Sequence, residues 1–236
     1  MKQLFIALSF LTRLPVPRVE GSTADFAAAV RLYPIVGVLV GAVVASAGVI
    51  GARVDPWLGA LAALIAWTWV TGALHLDGLG DVTDGLGAAH GDRDRMLAVM
   101  ADPHIGSFGV IAIVLQLAAK LVLLHLLLPQ QWAAIVAVSA AARMGPLVWA
   151  RWLRPLRPGG LGATIAKSVR PRDLLGWAAV LLAGCLVLPA LAVAPLIVAA
   201  LAVWFRSRIG GVTGDVHGAG IELAETALLL AFVLYA

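Results

Sequence analysis

The chain has 236 residues, of which 61% are hydrophobic and only 13% are charged. Soluble domains carry about half apolar and about a quarter charged residues, so this composition excludes one and indicates a single membrane-embedded domain over residues 1–236. The net charge of +4 does not indicate a nucleic-acid partner, because the basic residues lie in loops between apolar runs and no base-reading module is present. The single Cys185 excludes an intramolecular disulfide and a cysteine-based metal site.

The N-terminal run MKQLFIALSFLTRLPVP predicts an amphipathic or half-buried helix at the cytoplasmic surface. It is not read as a signal peptide, because it lacks an A-x-A-like cleavage site and Arg13 follows its apolar core too soon. Prolines then end the helix, and either Ser22 or Thr23 is expected to cap a short helix that reaches Arg31.

Apolar runs predict an all-α, polytopic membrane bundle of about seven spans. The first span contains Gly37 and Gly41, a GxxxG pair that lets helices approach closely. The uncharged segment 174–205 is too long for one span and short for two, and Pro189 and Pro195 favour a break and a tight hairpin. Outside this segment, spans are predicted at 34–52, which is the first span, and at 57–74, 108–128 and 132–150, with a short final span at the C-terminus.

Loop charge predicts the orientation of these spans. The loop 151–173 carries six of the 17 basic residues, which places it in the cytoplasm. The N-terminus is then inside and the C-terminus outside. Every acidic residue except Asp55 lies on or near the cytoplasmic side, where segments 75–91 and 210–225 are expected to face each other.

The segment from His75 to Ser107 contains six aspartates, against seven acidic residues in the rest of the chain. Asp77, Asp81 and Asp84 have i, i+4, i+7 spacing, so a helix would place their carboxylates on one face. Their mutual repulsion calls for a cation, and hard oxygen ligands favour Mg²⁺, Mn²⁺ or Ca²⁺. The many nearby glycines suggest close approach of substrate phosphates to the backbone. The alternative is a solvated acidic loop.

The second acidic segment contains Asp215, which we interpret as a ligand or a base. Glu222 and Glu225 are expected near the start of a helix. The helix dipole alone would explain acids at that position, and a functional role is the alternative. Lys120 and Arg143 lie inside spans, where a charge must pair or snorkel, and either could neutralise a substrate phosphate or an acid. Histidines border both segments and serve as general bases, phosphate contacts or structural residues: His75, His90, His104 and His217. Together these groups indicate phosphoryl or nucleotidyl transfer.

Five blocks in the chain carry a family resemblance: FLTRLPVP (10–17), YPIVGVLVG (33–41), HLDGLGDVTDG (75–85), MADPHIGSFG (100–109) and GGVTGDVHGA (210–219). In this order they resemble the cobalamin synthase family over nearly the whole chain. The resemblance implies a Mg²⁺-dependent transferase of the bacterial inner membrane, with its site facing the cytoplasm. It would join adenosylcobinamide-GDP to α-ribazole or its 5′-phosphate and release GMP. The corrinoid is implied by the resemblance alone.

The candidate residues fall into three sets. Catalysis is assigned to His75, Asp77, Asp81, Asp84 and Asp215, and metal binding to the four aspartates among them. Substrate binding is assigned to Arg13, Asp102, His104, Lys120, Arg143, His217 and Glu222. The expected partners are these small molecules and the lipid bilayer, and the sequence leaves open whether the protein is a homo-oligomer.

Two rival functions remain at this stage. A CDP-alcohol phosphotransferase also uses aspartates at helix ends, but its motif requires Ala and Arg where Asp81 and Val82 stand. An ion-coupled transporter would use buried acids near the midplane, whereas the acids here collect at one face.

Overall fold

The computed structural model describes residues 1–17, 19–157, 165 and 168–235, and it is helical throughout, with no β-strand in those ranges. The prediction of an all-α membrane protein is confirmed. The described helices are α1 (Lys2–Leu11), α2 (Thr23–Ala29), α3 (Tyr33–Gly51), α4 (Pro56–Thr71), α5 (Leu74–Ala89), α6 (Arg93–Val99), α7 (Ser107–Leu127), α8 (Trp132–Ala142), α9 (Gly145–Trp152), α10 (Pro171–Val187), α11 (Ala194–Trp204) and α12 (Gly214–Tyr235).

The N-terminal region folds as expected. One side of α1 is buried through Ile6, Leu8 and Leu11, while its other side is exposed. Ser22 is the cap of α2, where its hydroxyl accepts a hydrogen bond from the Asp25 backbone N–H, and the Asp25 carboxylate accepts one from the Ser22 backbone N–H in return. A single 3₁₀ turn, Val30–Leu32, then leads into α3.

The exact number of spans stays a prediction. In the described part of the chain, five helical segments are long and apolar enough to cross a membrane, or six if α4 and α5 count as one bent span. This range rests on length and composition alone and leaves the predicted count of about seven untested. Helix α10, with 17 residues, stands at the lower limit of length for crossing.

The second predicted span ends earlier than expected. Helix α4 stops at Thr71, because Gly72 and Ala73 both adopt left-handed backbone angles, and α5 leaves the bend at 84° to α4. Leu74, predicted to end the span, is instead the first residue of α5. The aspartate-bearing segment is thus a separate helix.

The long apolar stretch 174–205 is broken near Pro189, as predicted. Helix α10 ends at Val187, and the 3₁₀ turn Pro189–Val193 precedes α11. Pro195 causes no break, because it lies in the first turn of α11, where its missing N–H has no helical partner to lose.

Glycines allow two pairs of helices to pack closely. A Cβ atom on Gly37 would lie 2.7 Å from the Ala140 Cα, and one on Gly41 would lie 2.6 Å from the Val136 Cα. The GxxxG prediction is therefore confirmed for α3 against α8. A Cβ on Gly78 would likewise lie 2.7 Å from the carbonyl oxygen of Asp215, so α5 packs against the start of α12.

Candidate active site at the start of α5 and α12

The three aspartates of α5 share one helix face, as predicted, but differ in exposure. Asp77 is exposed, Asp81 is partly buried and Asp84 is only 8% exposed. Two glycines that follow these aspartates pack against protein. Gly85 and Gly87 face Met100 and Phe108, so protein packing rather than substrate approach explains these two positions, whereas Gly91 has no atom within 4 Å of its Cβ position.

Asp84 caps the next long helix. Its two carboxylate oxygens accept hydrogen bonds from the backbone N–H groups of Gly106, at 2.7 Å, and Gly109, at 2.8 Å. These groups open α7, where unpaired N–H groups and the helix dipole favour a carboxylate. Asp84 therefore stabilises the start of α7, and its role as a metal ligand stays a prediction.

The two acidic segments lie side by side, as expected. Asp215 is in the first turn of α12, and the carboxylates of Asp77 and Asp215 are close enough to Asp81 to repel its negative charge. A side-chain nitrogen of Arg157 lies 3.7 Å from the Asp215 carboxylate, and the Thr213 hydroxyl donates a hydrogen bond to it at 3.3 Å.

A cavity of about 360 Å³ opens beside this cluster. Its charged and polar lining comes from α5, the start of α12 and Arg157. Its apolar lining comes from α1, α3 and the turn before α3, α9 and neighbouring segments. The lining residues are Phe10, Leu11, Val30, Tyr33, Leu74, His75, Asp77, Pro146, Pro155, Arg157, Ile165, Val212, Thr213, Gly214, Asp215, His217, Gly218 and Ile221.

Two buried histidines in this lining have free hydrogen-bonding capacity. Neither ring nitrogen of His75 or of His217 has a partner among the described residues. A buried polar group without a partner costs about 1–3 kcal/mol, so each ring is suited to bind a ligand or water in the cavity. The packing of His217 against Trp149, with ring centroids 6.1 Å apart, fixes its position.

Three other predicted residues, Lys120, Arg143 and Glu222, lie away from the cavity and pair with one another and with Glu225. Lys120 lies in the bundle interior, 2.7 Å from Glu222 and 2.6 Å from Glu225, and Arg143 pairs with Glu225 at 2.8 Å. Two cations thus balance two acids, which satisfies the requirement that a buried charge be paired. None of the four lines the cavity. The predicted contact of Lys120, Arg143 and Glu222 with substrate stays a prediction.

The remaining candidates also lie outside the cavity. The Arg13 side chain packs against Gly72 at the bend, and the backbone N–H of Arg13 donates a hydrogen bond to the Val70 carbonyl. Asp102 and His104 are exposed and hydrogen-bonded to each other at 2.6 Å. The backbone N–H and then the ring of His104 hold the pKa of Asp102 below its ordinary value. Their assignment to substrate stays a prediction.

Several polar and aromatic residues of this region were not predicted from the sequence. Gln116 donates to the Glu222 side chain at 2.8 Å and completes the buried network. The signal was present, since Gln116 is a polar residue one helical turn before Lys120 in an apolar span. Phe10, Tyr33 and Thr213 lie in the motif blocks that carry the family resemblance, but only the folded chain brings them together at the cavity.

The donor set agrees with the chemistry of Mg²⁺. Asp77, Asp81 and Asp215 offer hard carboxylate oxygens near one another. Within the described ranges, no three His, Cys, Asp or Glu side chains are arranged so that they could hold a metal ion by themselves. In phosphoryl-transfer sites Mg²⁺ commonly binds one or two carboxylates and takes its other ligands from water and substrate phosphates, so such an arrangement is not required.

Fold and site together define a polytopic helical membrane protein with an acidic, oxygen-rich cavity, a class suited to phosphoryl transfer. A sequence model described as cobalamin-5-phosphate synthase matches residues 3–233, and the chain belongs to that family. This confirms the resemblance seen in the five motif blocks and makes the chain an enzyme of cobalamin biosynthesis.

Individual relatives agree over their full lengths. A protein of Novosphingobium aromaticivorans is 54% identical, over 99% of this chain and 97% of its own. Proteins of Thiobacillus denitrificans and Laribacter hongkongensis are 49% and 48% identical, over 98% and 99% of this chain and 94% and 97% of their own. All three are named adenosylcobinamide-GDP ribazoletransferase. No solved structure matches the chain.

Proposed function

We propose that this protein joins adenosylcobinamide-GDP to α-ribazole or its 5′-phosphate. A ribazole hydroxyl oxygen forms a bond to the phosphorus next to the cobinamide, the bond from that phosphorus to the oxygen bridging to GMP breaks, and the hydroxyl proton passes to the protein. The products are adenosylcobalamin, or its 5′-phosphate, and GMP. The observation that carries this proposal is the convergence of Asp77 and Asp215, from two distant segments, on one cavity.

Asp77, Asp81 and Asp215 are the residues that would hold Mg²⁺. When bound, the ion neutralises charge that develops on the pyrophosphate oxygens. Arg157, beside Asp215, contributes a second positive charge at the same edge of the cavity. These side chains therefore orient the pyrophosphate toward the incoming hydroxyl, which is the main contribution that an enzyme makes to phosphoryl transfer.

The hydroxyl proton requires an acceptor within hydrogen-bond reach. Asp215, His75 and His217 all line the cavity, and the two histidine rings have unused nitrogens. We assign the acceptor to this group of three.

We place the enzyme in the bacterial inner membrane with this site facing the cytoplasm. The support is the charge of the segments around the site. Arg154 donates to the Gly210 carbonyl at 2.9 Å, and the backbone N–H of Val212 donates to the Arg154 carbonyl at 2.9 Å, so the basic loop and the start of α12 lie on the same side.

GMP release tests the proposed function. Purified protein in liposomes should release GMP from adenosylcobinamide-GDP only when both α-ribazole phosphate and Mg²⁺ are present. Asp81→Asn should lower the rate by about 100-fold or more, because it removes a charge at the centre of the acidic cluster. The control is Asp55→Asn in the exposed cap of α4, since asparagine also caps helices well. Equal loss in both variants, or release without ribazole, would contradict the proposal.

A further inference from the structure

The cavity beside the acidic cluster is small for the larger substrate. About 360 Å³ lies near the lower end of the range of about 300–1,000 Å³ that is typical of pockets for drug-sized molecules. A nucleoside has the size for such a space. A corrinoid carrying a nucleotide is several times larger and cannot enter it.

The lining chemistry also matches a nucleoside with an apolar base. Phe10 and Tyr33 stand with nearly parallel rings, centroids 6.3 Å apart, on the apolar side of the cavity. Ile221 and Val30 add aliphatic surface. Flat aromatic bases bind favourably against such side chains, and the benzimidazole base of ribazole has few polar atoms that burial would leave without partners.

The acidic cluster extends beyond the cavity. Asp77 and Asp215 line it, whereas Asp81, one helical turn after Asp77, interacts with both carboxylates but is not part of the lining. If these acids held a pyrophosphate through a cation, the cavity would lie on one side of it, and its bulky substituent would extend away from the cavity on the other.

We propose, on the basis of the proposed function, that the cavity is the ribazole site and that the corrinoid binds outside it, beyond the acidic cluster. Ribazole enters with its base against Phe10 and Tyr33 and its hydroxyl toward Asp77 and Asp215. The shape of the apolar lining then determines which bases the enzyme accepts.

Leu74→Trp tests this division, because Leu74 lines the cavity and is 40% exposed. The larger side chain narrows the cavity, so the KM for α-ribazole should rise about tenfold. The KM for adenosylcobinamide-GDP should change less than about twofold. Leu61→Trp is the matched control, since Leu61 is similarly exposed, at 44%, but lies outside the lining, and it should change neither KM.

If Leu74→Trp does not fold, a second variant and a binding measurement still test the inference. Phe10→Ala removes part of the apolar surface and should also raise the KM for α-ribazole selectively. Equilibrium binding of radiolabelled α-ribazole to wild-type protein should occur without the corrinoid and weaken in whichever variant is folded. A selective rise in the KM for adenosylcobinamide-GDP, or unchanged ribazole binding in the folded variant, would overturn the inference. Absence of ribazole-dependent GMP release from the wild type would instead refute the proposed function.

Discussion

At the scale of single residues, Asp84 shows that the three aspartates of α5 do not all have the same role. Spacing alone made Asp77, Asp81 and Asp84 equivalent. The fold makes them different, since both oxygens of Asp84 bind the first N–H groups of α7. No sequence pattern announces this, because Gly106 and Gly109 lie more than 20 positions away in the chain.

We therefore expect Asp84→Ala to lower the free energy of unfolding by about 1–3 kcal/mol, because two buried hydrogen bonds to the start of α7 are lost. Thermal unfolding in detergent, followed by circular dichroism, measures the change. Asp84→Asn keeps one acceptor oxygen and should lose less. Unchanged unfolding in Asp84→Ala, together with abolished GMP release, would show that Asp84 acts on the metal or substrate instead.

At the scale of helices, apolar length predicted most elements, and local backbone geometry determined the rest. The spans α3 and α7 begin and end within a residue of their predicted limits, because hydrophobic length dominates there. The bend after Thr71 was missed. Gly72 gives a weak signal for a turn, and a left-handed Ala73 has none.

Orientation is the prediction that belongs to this scale. Ser207 is exposed in the π-helical segment Phe205–Ile209 that follows α11, and Val54 is exposed between α3 and α4. In a Cys185→Ala background, Ser207→Cys should react with a membrane-impermeant maleimide only after cells are permeabilised, because the proposed orientation places this segment on the cytoplasmic side. Val54→Cys should react in intact spheroplasts. Reaction of Ser207→Cys in intact spheroplasts would place the candidate site on the outer side.

At the scale of the whole molecule, the sequence predicted the partnership of two acidic segments but not the space between them. Segments 75–91 and 210–225 share glycine-acid patterns that the fold brings together. The cavity is built from α1, α3, α5, α9 and α12, and such long-range assembly leaves no periodic trace in the sequence. The sequence also did not predict which buried charges pair with each other. It identified the charged residues, but only the fold shows the ion pairs among Lys120, Arg143, Glu222 and Glu225.

The central claim is that Asp77 and Asp215 belong to one site, and a double-mutant cycle tests it most directly. Ribazole-dependent GMP release would be measured for Asp77→Asn, for Asp215→Asn and for the double variant. If both carboxylates act on the same ion and pyrophosphate, the double variant should be only slightly slower than the slower single variant. Losses that multiply, with each single variant acting as if the other residue were unchanged, would contradict a shared site.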